Sequence, residues 1–315
     1  MDERMERFLK NTRREGLYLL EVQLRQNEAV TAHWSRIPSC PRFEVYSVAK
    51  TFAGVAAGIA MDEGLIRMDE RLSDSFPEAA ALSSDPFARE ITVRHLLTMT
   101  SGMEKTMFWR DGWERRHERD WIRCFYEKGR FTYPPGSTFL YNNANTYMLG
   151  CLIEKKAGEN LREFLRYRLF EPLEIGNVEW MDCPMGHTIA ANGLAINADE
   201  LGRFGQMIAD GGVWNGRRLV SESFVREMLT PRTVTDSLIP GDPPVPAGYG
   251  SQIWLDVRHN AAFLWGIFGQ YCVILPEKNT VITVLSLQPD DGGSNGKYGA
   301  SPLRERIWRD LVEEL

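Results

Sequence analysis

Ser47-Val48-Ala49-Lys50 opens a segment that reads as one helix from Ser47 to Glu63, closed by Gly64. Serine and lysine three apart on a helix share a face, so the amine can reach the hydroxyl. A serine alcohol is a weak nucleophile at neutral pH and needs a base within hydrogen-bond reach. A lysine that has lost its proton through desolvation or a neighbouring cation can be that base. The first turn of a helix also offers free backbone N–H groups to a developing oxyanion. The four-letter pattern alone is weak, since it is expected roughly once by chance in a chain of this size. Indeed Ser294-Asn295-Gly296-Lys297 repeats it, but inside a Gly/Asp-rich stretch (290–299) with no apolar periodicity, which reads as a loop.

Working outward, the chain has 315 residues, enough for a large core and two lobes. Its net charge of −6 and the lack of any basic stripe exclude nucleic acid as an expected partner. No apolar run reaches the length of a membrane span, and the charged start Met1–Arg7 is unlike a signal peptide. We therefore expect a cytoplasmic protein without a membrane partner. The five cysteines are odd in number and widely spaced, and the five histidines form no H-x-x-x-H pair. Neither a disulfide framework nor a metal site is expected, and the chemistry proposed below needs no cofactor.

Periodicity predicts an N-terminal amphipathic helix, then a β-hairpin of Leu17–Gln23 and Ala29–Trp34 with its turn at 25–28. From Leu65 to about Pro231 the chain reads as helix and loop, with helices at 91–98 (capped by Thr92), 144–156, 161–169 and 198–210. The Pro/Gly-dense segment 236–248 reads as a surface loop or lobe boundary. Strands return at 251–257, 262–265, 270–275 and 280–287, with a turn at Pro276–Asn279, and an amphipathic helix closes the chain at 301–315. The order is that of an α+β fold: a mostly antiparallel sheet flanked by N- and C-terminal helices, with a large helical lobe inserted. The expected domains are 1–64 with 245–315 for the sheet and 65–244 for the helical lobe.

A nucleophilic serine also needs a group to manage the lysine's proton and protonate the leaving group. Tyr141-Asn142-Asn143 is the candidate; of ten tyrosines, only Tyr141 is followed two residues on by asparagine. A tyrosine hydroxyl beside a lysine can act as acid and base, and Asn143 can donate to a substrate carbonyl and accept from Lys50. The bland alternative is that Tyr141 packs and Asn143 caps the next helix.

These residues together make the chain resemble the serine β-lactamase and penicillin-binding-protein superfamily. The branch is the class C β-lactamase-like one, with its D-alanyl-D-alanine peptidases, esterases and amide hydrolases. Ile91-Thr92-Val93-Arg94-His95-Leu96-Leu97-Thr98-Met99-Thr100-Ser101-Gly102, Gly64-Leu65-Ile66-Arg67-Met68-Asp69, Tyr249-Gly250 and Leu275-Pro276-Glu277 extend the likeness in order. The resemblance implies a cleft between sheet and helical lobe, with Ser47 and Lys50 on one side and Tyr141 and Asn143 on the other. It also implies an oxyanion hole from the backbone N–H groups of Ser47 and Gln270. The family's third motif, K-T-G or H-x-G, aligns with Ile267-Phe268-Gly269. The glycine is kept, which lets substrate lie close to the strand. The basic residue is replaced by Ile267. A substrate carboxylate then loses its usual counter-ion, worth about 1.5–3 kcal/mol. Ile267, Phe268 and Trp265 would make that wall apolar. Arg258 or His259, on the neighbouring strand segment, could restore the charge, although a solvated turn suits them better.

The implied activity is a serine acyl hydrolase with Ser47, Lys50 and Tyr141 catalytic. Asn143, Ile267, Phe268, Gly269 and Gln270 would bind a small ester or amide. The alternatives are a D-amino-acid peptidase or β-lactamase, and a non-catalytic ligand-binding protein on the same scaffold. Oligomeric state is not readable.

Overall fold

The structure, a computed structural model, describes residues 2–235, 247–288 and 302–315. In chain order its strands are β1 (Leu19–Gln26), β2 (Ala29–Ser35), β3 (Phe43–Glu44), β4 (Glu179–Trp180), β5 (Leu194–Ile196), β6 (Val213–Trp214), β7 (Arg217–Arg218), β8 (Thr233–Thr235), β9 (Ala247–Tyr249), β10 (Trp254–Asp256), β11 (Ala261–Gly266), β12 (Gln270–Leu275) and β13 (Thr280–Ser286). Among the described residues, eight of them form one antiparallel sheet in the order β2-β1-β13-β12-β11-β10-β9-β8. The N-terminal hairpin is thus joined through β1–β13 to the C-terminal strands, the α+β arrangement expected from the sequence.

The central strands are covered on both faces. Along β12, Tyr271, Val273 and Leu275 point to one core and Cys272 and Ile274 to the other, the period of two that a strand imposes. The first core lies under the N-terminal helix Glu3–Arg14 and the C-terminal helix Pro302–Ile307, whose Met5, Phe8, Leu303 and Ile307 are buried there. The second holds the helix Ala49–Asp62, every residue of which from Ala49 to Ala60 is buried. Its small residues permit this: a Cβ on Gly54 would stand 2.9 Å from Gln252 Cβ, and one on Gly58 2.3 Å from the Phe224 ring. The helix Ala198–Ala209 also lies on this face, across β1, β12 and β13, with Gly202 against Gln23 and Gly205 against Cys272.

Several expectations shift in detail. Ser47 sits in a 3-10 turn, Tyr46–Val48, that leads directly into the helix Ala49–Asp62. The first hairpin extends further than its alternation implied, and it turns on Asn27 and Glu28, both at positive φ as a two-residue turn requires. The 251–257 strand shortens to Trp254–Asp256, and 161–169 divides into a helix, Leu161–Leu165, and a wider turn, Arg166–Phe170. The stretch expected to be helix and loop holds β4 and β5, which form a small sheet with β3 from before it, and the β6-β7 ribbon; these two- and three-residue strands are too short to show alternation. Most of the 236–248 loop and the second S-x-x-K copy lie outside the described residues.

Candidate active site

The turn bearing Ser47 is pressed against the β11–β12 hairpin. A Cβ on Gly266 would stand 2.2 Å from the Val45 carbonyl oxygen, so only glycine lets the two backbones meet. Two aromatics at positive φ then face one another beside the serine: Tyr46 (φ 49°) and Phe268 (φ 64°), ring centroids 5.0 Å apart and edge to face. Left-handed backbone is unfavourable for bulky side chains, costing roughly 1–3 kcal/mol each, and persists only where surroundings over-determine it. Here they do. The Phe268 carbonyl accepts from Ser286 Oγ (2.8 Å), Gln288 N (3.0 Å) and Gln270 Nε2 (3.2 Å).

Lys50 Nζ lies 2.9 Å from Ser47 Oγ and donates to the Ala191 carbonyl at 2.9 Å. Lys50 is only 1% exposed and makes no ion pair among the described residues. Burial, and secondarily the Arg115 guanidinium, hold its amine well below the ordinary lysine range. Ser47 is half-buried, so one side of the pair meets solvent. The Lys50 amine also lies 5.0 Å from the centroid of the Tyr141 ring. Trp254 stacks on that ring at 5.3 Å and Tyr249 meets it edge-on at 6.0 Å, so the sheet positions the tyrosine. Trp254 packs in the sheet core and also borders the site.

The loop before Tyr141 is strapped to the 98–102 segment. Leu140 N donates to Met99 O (2.9 Å), Gly136 N to Thr100 O (2.7 Å) and Tyr133 N to Gly102 O (3.1 Å). Helix Asn143–Ala157 is capped by Asn142, whose Oδ1 accepts from Ala144 N and Met107 N, each at 3.0 Å. Asn143 is therefore released from capping. Its amide nitrogen donates to Phe108 O at 3.0 Å, and no bond from Lys50 reaches it. A carbonyl partner demands the nitrogen on that side, which leaves the buried Oδ1 without a partner among the described residues.

The third-motif turn holds Ile267 and Phe268 half-buried and Gly269 and Gln270 buried. The reason for the glycine differs from the one expected. The missing side chain of Gly269 (φ 83°) faces Ser286 Oγ, Gln288 and Leu303 in the protein interior, so turn conformation and packing require it. The Gln270 side chain is occupied by the Ser286 backbone, donating to its carbonyl at 2.7 Å. Arg258 and His259 lie at the opposite end of β11, tied to Asp256, with His259 Nδ1 2.7 Å from Asp256 Oδ2. Six residues of strand put them about 20 Å from the Gly266 end.

Sequence reasoning missed a hub at Ala191-Asn192-Gly193. Ala191 O takes Lys50, Asn192 Oδ1 accepts from Arg115 Nη1 (3.0 Å), and Gly193 N donates to Glu44 Oε1 (3.1 Å). The partners lie 141, 77 and 149 residues away in the chain, and two of the three hub atoms are backbone, so no local pattern marks them.

A model of the β-lactamase family matches residues 1–299. The chain is 31% identical to a β-lactamase of Escherichia coli K12 over 45% of its own length, and 28% identical to 6-aminohexanoate-dimer hydrolase of Paenarthrobacter ureafaciens over 83%. Those matches span 35% and 70% of the two relatives. A penicillin-binding protein homologue from Caulobacter crescentus shares the fold, with a TM-score of 0.77 at 16% identity, over 99% of this chain and 96% of that one. With S-x-x-K and Y-x-N converging beside the third-motif turn, the chain belongs to the β-lactamase family, in its class C-like, penicillin-binding-protein-like branch.

Proposed function

We propose that the protein is a serine acyl hydrolase acting on a small ester or amide. The observation that carries this is the pair Lys50 Nζ–Ser47 Oγ at 2.9 Å, with a lysine too buried to hold its proton readily. One N–H of the neutral amine is taken by Ala191 O, which leaves its lone pair for the serine hydroxyl. Ser47 Oγ attacks the carbonyl carbon and its proton passes to Lys50. The oxyanion is held by the N–H groups of Ser47 and Gln270. Lys50 or Tyr141 returns a proton to the leaving alcohol or amine. Water then cleaves the acyl-serine, releasing the acid and regenerating the hydroxyl.

Ile267 and Phe268 form an apolar wall for the acyl group. The unpartnered Asn143 Oδ1 favours a substrate with an N–H near the scissile bond, since a buried orphan acceptor costs about 1–3 kcal/mol until a donor meets it. That leans the reading towards amides, as does the relative named for a 6-aminohexanoate dimer. The site would lie between two lobes, residues 1–64 with 245–315 and residues 65–244, the helix Ala198–Ala209 riding on the sheet. No helix of the described residues is long and apolar enough to cross a membrane. Five unpaired cysteines support a cytoplasmic placement. The test is release of p-nitrophenol from p-nitrophenyl butyrate, and of p-nitroaniline from the matching anilide, by wild type and Ser47→Ala. Turnover by wild type alone supports the reading; equal activity in the variant contradicts it.

A further inference from the structure

Arg115 stands out among the groups around Ser47. It is half-buried, it makes no ion pair among the described residues, and its hydrogen-bond partner is the neutral Asn192 Oδ1. Its guanidinium carbon also lies 5.7 Å from the centre of the Trp121 ring. A guanidinium withdrawn from water without a carboxylate is costly, and a ligand anion would offset that cost. The hub fixes where it sits: Arg115 ends on Asn192 and Lys50 on Ala191, adjacent residues whose Cα atoms are about 3.8 Å apart. A second guanidinium, Arg110, stands 5.0 Å over the Phe268 ring, on the third-motif turn where Ile267 replaces the basic residue. Arg110 is exposed and shares Asp111 with Arg116, so it is the weaker of the two.

We propose that Arg115, assisted by Arg110, is a carboxylate anchor in the Ser47 cleft, which makes the preferred substrates acyl compounds carrying an anionic group. The cation missing from the sheet side of the cleft is supplied from the segment after Asn143's partner Phe108. This rests on the hydrolase reading above. Burial lowers the proton affinity of Arg115 first, and Glu44 partly restores it. Glu44 lies beyond ion-pair distance, its Oε1 engaged by Gly193 N, and burial pushes its carboxyl up. It is the nearest competitor for an incoming anion.

The experiment uses two matched substrates, p-nitrophenyl hexanoate and mono-p-nitrophenyl adipate, which differ by a methyl group against a carboxylate. Free adipate binding is measured by calorimetry alongside. In wild type the ratio of kcat/KM, adipate over hexanoate, should exceed one. In Arg115→Gln that ratio should fall roughly ten- to hundredfold, the loss of one charge-assisted bond. Arg115→Lys should recover part of it, and Glu44→Gln should tighten adipate binding. An unchanged ratio in Arg115→Gln, or an equal loss on both esters with a shifted pH profile, overturns the anchor and makes Arg115 a positioning residue for Lys50. If neither ester is turned over, the hydrolase reading fails separately. The anchor then stands if adipate binds wild type and not Arg115→Gln, and falls if it binds neither or both.

Discussion

Lys50 and Glu154 are both almost wholly buried charged residues, 1% and 8% exposed, and each belongs to a buried helix. Their surroundings are opposite. Glu154 is satisfied at every turn: Oε1 accepts from Leu161 N and Thr188 N, each at 3.0 Å, and Oε2 lies 2.6 Å from His187 Nδ1. Lys50 has a serine hydroxyl, one carbonyl, the Tyr141 ring and, among the described residues, no counter-ion. The first arrangement keeps a charge inside by surrounding it with donors. The second drives the charge off, which in the proposed mechanism leaves a base beside a nucleophile. A buried ionisable group held without its natural partners marks chemistry, and one held with all of them marks architecture.

The largest effect should come from the reacting pair. Ser47→Ala and Lys50→Arg should each lower kcat/KM by ~10³-fold or more, because arginine cannot surrender its proton at working pH. An active Lys50→Arg variant, measured by p-nitrophenol release, would remove the base from the account. Next in size is Glu154→Ala, which strands two backbone donors and His187. It should lower unfolding stability by about 2–5 kcal/mol in denaturant titrations while leaving Ser47 reactive in the folded fraction. The counterpart is Lys50→Met, which should stabilise the fold by about 1–3 kcal/mol while abolishing turnover.

The sign of that gain follows from linkage. The unfolded lysine titrates near 10.4 and the folded one lower, so below that pH the unfolded state binds the extra proton and the native protein bears a penalty. The advantage of Lys50→Met should therefore shrink as pH rises towards 10–11. For the same reason wild-type activity should be lost as pH falls through the folded lysine's value. His187 gives the smallest effect, with the opposite sign. Its hydrogen bond to Glu154 raises its proton affinity, so its contribution is complete below about pH 6.5 and is lost as pH rises through the folded value. With a third of the side chain exposed, the difference between wild type and His187→Gln in thermal melts at pH 6 and pH 9 should stay near ~1 kcal/mol or less.

How much of this was legible in the sequence depends on the range of the interaction. Ser47 and Lys50 lie one helical turn apart, so their contact follows from local geometry. Tyr141 and Asn143 stood out through the sequence Y-x-N before an apolar helix. The separation of roles between Asn142, which caps, and Asn143, which holds Phe108, was not readable, because either residue suits the cap. Positive φ at Tyr46 and Phe268 was invisible, since aromatic residues do not announce left-handed backbone as glycine does. Arg115 was hidden for another reason. The chain next to the third motif offers Arg258 and His259 as replacement cations, whereas the proposed anchor, Arg115 with Arg110, comes from a distant segment of the chain.

The most direct test is mass spectrometry of the protein quenched within the first seconds of mixing with p-nitrophenyl butyrate, for wild type and for Lys50→Met. The account predicts a butyryl adduct on the peptide carrying Ser47 in wild type, forming faster as pH rises through the Lys50 titration, and none in the variant over the same interval. A butyryl group on another residue, or acylation of Ser47 at the same rate without Lys50, would contradict it.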